Sequence, residues 1–224
     1  DWLCQWSGLA SVLAETGAQI YREVTENTAD TVAEQRFEHF VGQIEPQARV
    51  AEQALKQKLL AVPGYQPAED AALLLRRFRT ETEVFRAENV AVESKLALLG
   101  NQYNKIVGGM SVEWQGEELT LPQANSRLQE PDRTAREAIW RRIMQRYLAD
   151  RDAINDLYMA MLPLRRETAH NAGFDDYRAL RWQQLARFDY TPDDAFVFHD
   201  AIEHAVVPLA TELYQKLAGR LGVD

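Results

Sequence analysis

The sequence predicts a mainly α-helical protein carrying one small β-hairpin. Three observations predict it. Apolar residues recur at helical spacing from Trp2 to Leu99, and strand-like alternation occurs around Gln115-Gly116. Helical periodicity then returns after Pro122 with strong start and stop signals.

Residues 1–99 read as a lobe of antiparallel helices near 2–16, 18–44, 47–62 and 68–99. Pro46 and Pro67 suit first-turn positions, where a missing N–H costs nothing, and Pro63-Gly64 breaks the chain between the third and fourth helices. Within the second, Thr25, Asn27, Thr28 and Asp30 offer caps for a fresh start near Thr31.

The pattern changes at Gly100, and residues 100–122 form the β-hairpin element. Alternating β-branched residues lead to Gln115-Gly116, and Leu119 and Leu121 alternate after it, as in two antiparallel strands around a tight turn. A lone hairpin is marginal in water and must pack on helices or pair with other strands. Gly108-Gly109 reads either as a bulge or close backbone approach, or as a flexible kink.

Residues 123–224 are helical again. A short piece after Pro122 leads to Glu130-Pro131-Asp132, and one long helix is expected from there to about Asn171, with a kink at residues 159–163 from Pro163 and Gly173 as its C-cap. Asp175 or Asp176 starts a short helix. Thr191-Pro192-Asp193-Asp194 starts the last one, which Pro208 bends before it ends near Gly219.

Composition narrows the function classes. Of 224 residues, 46% are hydrophobic and 26% charged, as in a folded globular chain large enough for one sizeable core or two small ones. A formal charge of −9 works against a nucleic-acid partner. No apolar run of membrane-spanning length occurs, so no membrane partner is expected. The single cysteine, Cys4, cannot form an internal disulfide, and a cytoplasmic location is expected.

Histidines were weighed as metal ligands. His199 and His204 lie about 140° apart around a helix and cannot chelate together, whereas His199 with Glu203 reads as a solvated pair. Glu167 and His170 have the Glu-x-x-His spacing of di-iron bundles, but such a site needs two copies and only one is present. Neither a Gly-x-Ser-x-Gly elbow nor a phosphate-binding glycine motif occurs. What remains is a run of arginines, Arg165, Arg166, Arg178, Arg181 and Arg187, interleaved with Tyr177, Trp182, Phe188 and Tyr190. Guanidinium beside aromatics suits recognition of peptide carboxylates and carbonyls. The structural alternative is pairing with Asp175, Asp176, Asp189, Asp193 and Asp194 to tie helices together.

The hairpin KIVGGMSVEWQGEELTLPQ, the following PDRTAREAIW, then AHNAGFDDYRALRW and RFDYTPDD together resemble the N-terminal half of oligoendopeptidase F-like enzymes, thimet-oligopeptidase-related zinc metallopeptidases. The resemblance is strongest from about Leu98 to Leu209. It implies helical lobes flanking a deep channel for short peptides, a zincin-type oligopeptidase domain whose first helices are residues 123–224, and hydrolysis of internal peptide bonds. In that family, zinc is held by H-E-x-x-H and a downstream Glu. No H-E-x-x-H occurs in this chain, so no catalytic or metal role transfers to any residue present. The expectation is therefore the N-terminal portion of a zinc oligopeptidase, inactive alone and binding no zinc itself, with a catalytic half as partner and Tyr177, Arg178, Arg187 and Tyr190 facing the channel. The alternative is a freestanding helical module that binds peptides or partners without catalysis.

Overall fold

The computed structural model describes residues 2–65 and 71–223. Helix α1 spans Trp2–Glu26, running through Gly17, where a break was expected. Gly17 serves close packing: an added Cβ would lie 3.0 Å from the Phe40 ring. The fresh start at Thr31 is real. Asp30 caps α2 (Thr31–His39), its Oδ1 accepting from the backbone N–H of Val32 at 2.9 Å and of Ala33 at 3.1 Å. A π turn, Phe40–Ile44, joins α2 to α3 (Glu45–Leu60), with the Glu45 N–H reaching back to the Phe40 carbonyl. Pro46, in the first turn of α3, cannot donate an amide hydrogen, and the widened turn before it accommodates that loss.

The expected Pro67 start falls outside the described residues, and the expected helix to residue 99 is two helices. Helix α4 (Ala72–Val84) ends at extended Phe85 and Arg86, and α5 covers Ala87–Gly108. No glycine or proline marks this break. Arg86 holds it open: its guanidinium donates to the carbonyls of Glu83 at 2.9 Å, Phe85 at 2.7 Å and Ala172 at 3.3 Å.

Because α5 continues to Gly108, the hairpin is shorter than the expected 100–122. Strand β1 is Ser111–Trp114 and β2 is Glu117–Thr120, antiparallel with Ser111 opposite Thr120. Gln115 and Gly116 both have positive φ, 53° and 86°, the geometry of a type I′ turn. Leu121 is not a strand residue but the first of α6 (Leu121–Ser126), capped by a Thr120–Gln123 box with Pro122 in its first turn. The helical cover that a lone hairpin needs is present. Met110, Val112 and Leu119 pack with Leu121, Ala124, Ile139 and Ile143, and both isoleucines are fully buried. Gly108 and Gly109 lie at the end of α5 rather than in a strand, and Gly108 makes a close approach to Thr28.

A short 3₁₀ turn, Arg127–Gln129, precedes Asp132, whose side chain caps α7 (Arg133–Ala149). The single long helix expected here breaks at Asp150, where α8 (Arg151–Asn171) begins. Its two halves have different tasks: α7 supports the hairpin, and α8 lies along α5. Pro163 sits inside α8, which continues through it. Gly173, at φ 84°, closes α8 as expected, with Gly173 N–H on the His170 carbonyl at 2.9 Å and Phe174 N–H on Ala169 at 3.0 Å.

Asp176 caps α9 (Tyr177–Gln184), which buries Leu180 against Ala169 and Ala172. Thr191 and Asp194 form the expected capping box at the start of α10 (Pro192–Ala201). Hydrogen bonds from the Thr191 hydroxyl and backbone N–H hold the Asp194 carboxyl below its ordinary range. A second π turn, Ile202–Val206, precedes α11 (Val207–Leu221) with Pro208 in its first turn, so Pro208 repeats the device seen at Pro46.

The Gly108 contact makes a signed prediction. An added Cβ would lie 2.7 Å from Thr28 Cγ2 and 2.9 Å from its hydroxyl oxygen. In helices Gly→Ala is normally stabilising by up to ~1 kcal/mol. Gly108→Ala should instead destabilise by ~1–2 kcal/mol through overpacking. Adding Thr28→Ala should remove that cost, as read from urea unfolding of the single and double variants.

Candidate functional site

A cavity of about 1200 Å³ lies between the helical lobe and α8. Its first wall is one face of α3, where Glu45, Arg49, Glu52, Gln53 and Lys56 recur three or four residues apart. Asn89, Glu93, Ala97 and Asn101 come from α5 at the same spacing. Leu13, Phe37 and Phe40 supply apolar surface, and Ile154, Leu157 and Met161 of α8 face the cavity as well.

The charged groups of α3 are paired among themselves and with α4 and α5. Arg49 binds Glu45 Oε1 through Nη2 at 2.8 Å and also hydrogen bonds Glu93. Lys56, largely buried, places Nζ 2.7 Å from Glu81 Oε2 and 3.0 Å from Glu52 Oε1. Arg77 donates to the other Glu81 oxygen at 2.6 Å. Burial by itself would raise the Glu81 carboxyl, but the hydrogen bonds and charges of Lys56 and Arg77 outweigh it and hold Glu81 below its ordinary value. At Glu93 the balance reverses. Burial pushes this carboxyl up, Arg49 does not overcome it, and Glu45 adds to it.

The four residues expected at the channel lie on α9 and in the segment that follows it. Tyr177 packs beside the Ala169, Ala172 and Leu180 cluster, with the Arg165 guanidinium 5.8 Å from its ring centre. Arg178 is exposed. Arg187 stacks 4.6 Å over Trp182 and lies 5.9 Å from Tyr190, and the Trp182 indole N–H donates to the Tyr190 carbonyl at 3.3 Å. None of the four is among the residues lining the cavity, which α9 reaches only through Gln184 and α8 through residues that include Arg165. The expected pairing of these arginines with carboxylates is not what the structure shows. Among the described residues, Arg165, Arg166, Arg178, Arg181 and Arg187 make no ion pair, and Arg165 and Arg187 rest on aromatic rings instead.

Glu167 and His170 are both exposed near the end of α8, and His204 Nδ1 sits 2.7 Å from the Asp200 carbonyl. No group of three His, Cys, Asp or Glu among the described residues is placed to hold a metal, so they do not fit the zinc that the resemblance implies. Sequence reasoning did not pick out the paired groups of the cavity. The periodicity of Glu45, Arg49, Glu52 and Lys56 was a visible signal, but Glu81 and Glu93 join it only through packing of α4 and α5 on α3.

Solved structures share this fold. The chain superposes on PZ peptidase A, solved with an inhibitor, at TM-score 0.85 and 23% identity, covering 92% of this chain and 37% of that one. It superposes equally, at 0.85 and 20% identity, on a structure named as oligoendopeptidase F from Bacillus anthracis str. Ames, covering 93% and 38%. A second structure named oligoendopeptidase F gives 0.84 at 22% identity, covering 92% and 36%. Residues 126–224 match the family model for peptidase family M3, and the resemblance read from the sequence holds. No curated protein matches. The chain spans under two fifths of the length of each solved structure. No helix among the described residues is long and apolar enough to cross a membrane.

The Glu81 network makes stability depend on pH. A carboxyl held below its ordinary value of 4.5 contributes stability that is present above that pH and is lost as pH falls through the folded-state value. Glu81→Gln should destabilise the chain at neutral pH by ~1–2 kcal/mol, the lower range for charged hydrogen bonds because the side chain remains partly hydrated. The gap should narrow below pH 4.5, as measured by urea unfolding across the acid range.

Proposed function

We propose that this chain forms one wall of the substrate channel in a zinc-dependent oligopeptidase that hydrolyses internal bonds of short peptides. The match of residues 126–224 to peptidase family M3 carries the reading. The shared fold and the large, partly apolar cavity support it. The chain's own residues would bind and orient the peptide: the cavity can seat apolar side chains against Phe37, Phe40 and Leu157, and its walls limit access of bulk water. The metal centre would be supplied by residues other than these 224. Because α9 borders the cavity, Tyr177, Arg178, Arg187 and Tyr190 would sit at the channel's edge.

The C-terminal helices support a partner of this kind. In α10 and α11 no residue is buried, and Phe196, Phe198, Leu213 and Tyr214 are exposed. Large apolar side chains exposed along two successive helices suit an interaction site, here for the catalytic half. The exposed single cysteine, Cys4, is compatible with a reducing, cytoplasmic setting.

The test is hydrolysis of quenched-fluorescent oligopeptides. The 224-residue chain alone should leave them intact. A protein that joins these residues to a catalytic half bearing H-E-x-x-H should cleave them and be stopped by 1,10-phenanthroline. Chelator-sensitive cleavage by the 224 residues alone would place the metal site within them and overturn this division of labour. A joined protein that binds peptides but never cleaves them would return the reading to a binding module.

A further inference from the structure

Two side chains in the cavity are left without partners. Gln53 of α3 and Asn101 of α5 are only 7% and 5% exposed, and both line the cavity. Neither carboxamide makes a hydrogen bond to another described residue, unlike Asn89 in the same wall, whose amide donates to the Thr168 carbonyl at 2.9 Å. Buried polar groups are normally satisfied, since each orphan loses its hydration without replacement. Nor are these amides sealed in: a fully enclosed side-chain atom without a partner, Thr82 Oγ1, lies elsewhere, whereas Gln53 and Asn101 open onto the cavity.

Their chemistry specifies what they await. A carboxamide donates through its NH₂ and accepts through its oxygen, which is the complement of a peptide group. The charged neighbours on α3 are already paired, Arg49 with Glu45 and Glu93, and Lys56 with Glu52 and Glu81, while Arg86 is bound to carbonyls and Arg165 on α8 rests against the rings of Tyr158 and Tyr177. Beside Asn101, Ala97 and Gly100 keep the α5 wall low, and nothing lies within 4 Å of a Cβ placed on Gly100. A main chain can approach closely there. The volume of about 1200 Å³ exceeds the ~300–1,000 Å³ of small-molecule pockets and suits a chain segment.

We propose that Gln53 and Asn101 form a main-chain subsite that holds an extended, uncharged stretch of oligopeptide through its backbone N–H and C=O groups, independently of its side chains. Only an extended segment leaves those groups free to pair. The subsite rests on the peptide-channel reading and adds to it the residues that grip the substrate away from the scissile bond.

The test uses the full 224-residue chain and a capped, uncharged alanine–leucine octapeptide followed by titration calorimetry. Asn101→Leu and Gln53→Met, which keep side-chain size and remove the amide, should each weaken binding about 10-fold, the value of one hydrogen bond of ~1.4 kcal/mol. Because each removes a mostly buried amide that makes no hydrogen bond to another described residue, the thermal midpoint should stay level or rise. Methylating alternate peptide nitrogens should weaken binding to the parent chain and leave little further effect of either substitution. Unchanged binding in both variants would overturn the subsite, and so would a fall in thermal midpoint that accompanies the loss of binding. A parent chain that binds no capped peptide at millimolar concentration also overturns it, while the hydrolysis assay separately judges the peptidase reading.

Discussion

The fold depends on the pairing of α5 with α8, because this is where the N-terminal lobe is joined to the family-matched second half. Its centre is a buried polar junction. Asn89 donates to the Thr168 carbonyl at 2.9 Å and accepts from the Asn171 amide at 2.8 Å, with Asn89 and Thr168 both buried. Arg86 adds a bond to the Ala172 carbonyl. Apolar packing alone tolerates sliding of one helix past another, whereas a fully satisfied buried amide has one register in which its donor and acceptor both find partners. The junction also ends α8 in place: Ala169 and Ala172, next to these groups, form the floor on which Leu180 of α9 packs.

The cavity is a consequence of that register. With α5 fixed against α8 at one end, its opposite flank meets α3, and the space between becomes the walled cleft. Charge pairing across α3, α4 and α5 then holds the wall. Glu81 is drawn down by two cations, while at Glu93 burial, helped by Glu45, outweighs Arg49 and Arg181 and pushes the carboxyl up. The two carboxyls therefore contribute to stability with opposite dependence on pH.

Much of the architecture was legible because local signals are strong where they exist. Thr191-Pro192-Asp193-Asp194, Asp132, Asp176 and Gly173 all act at the helix ends where capping chemistry puts them. Gln115-Gly116 makes the hairpin turn. The breaks at Phe85–Arg86 and Asp150 were not legible, because neither carries a glycine or proline and a lone aspartate is only a weak stop. They arise from what each half must pack against. Gly17 misled in the opposite direction, since its small size serves the Phe40 ring rather than a turn. The arginine and aromatic cluster was visible as composition, yet whether a guanidinium meets a carboxylate or a ring depends on how α8, α9 and the following loop fold together.

The amino-acid sequence by itself determined the helical class, the hairpin, the capped helix ends, the family resemblance, and the lack of an H-E-x-x-H pair. These are properties of neighbours along the chain, set by backbone propensity and short-range hydrogen bonding. Only the tertiary structure decided which polar groups are buried, which charges pair, and which amides remain open. Gln53 and Asn101 look unremarkable on their own helices, and they become carboxamides without protein partners only when α3 and α5 close around the same cavity. Desolvation and hydrogen-bond satisfaction are properties of the packed surroundings, and no spacing along one helix records them.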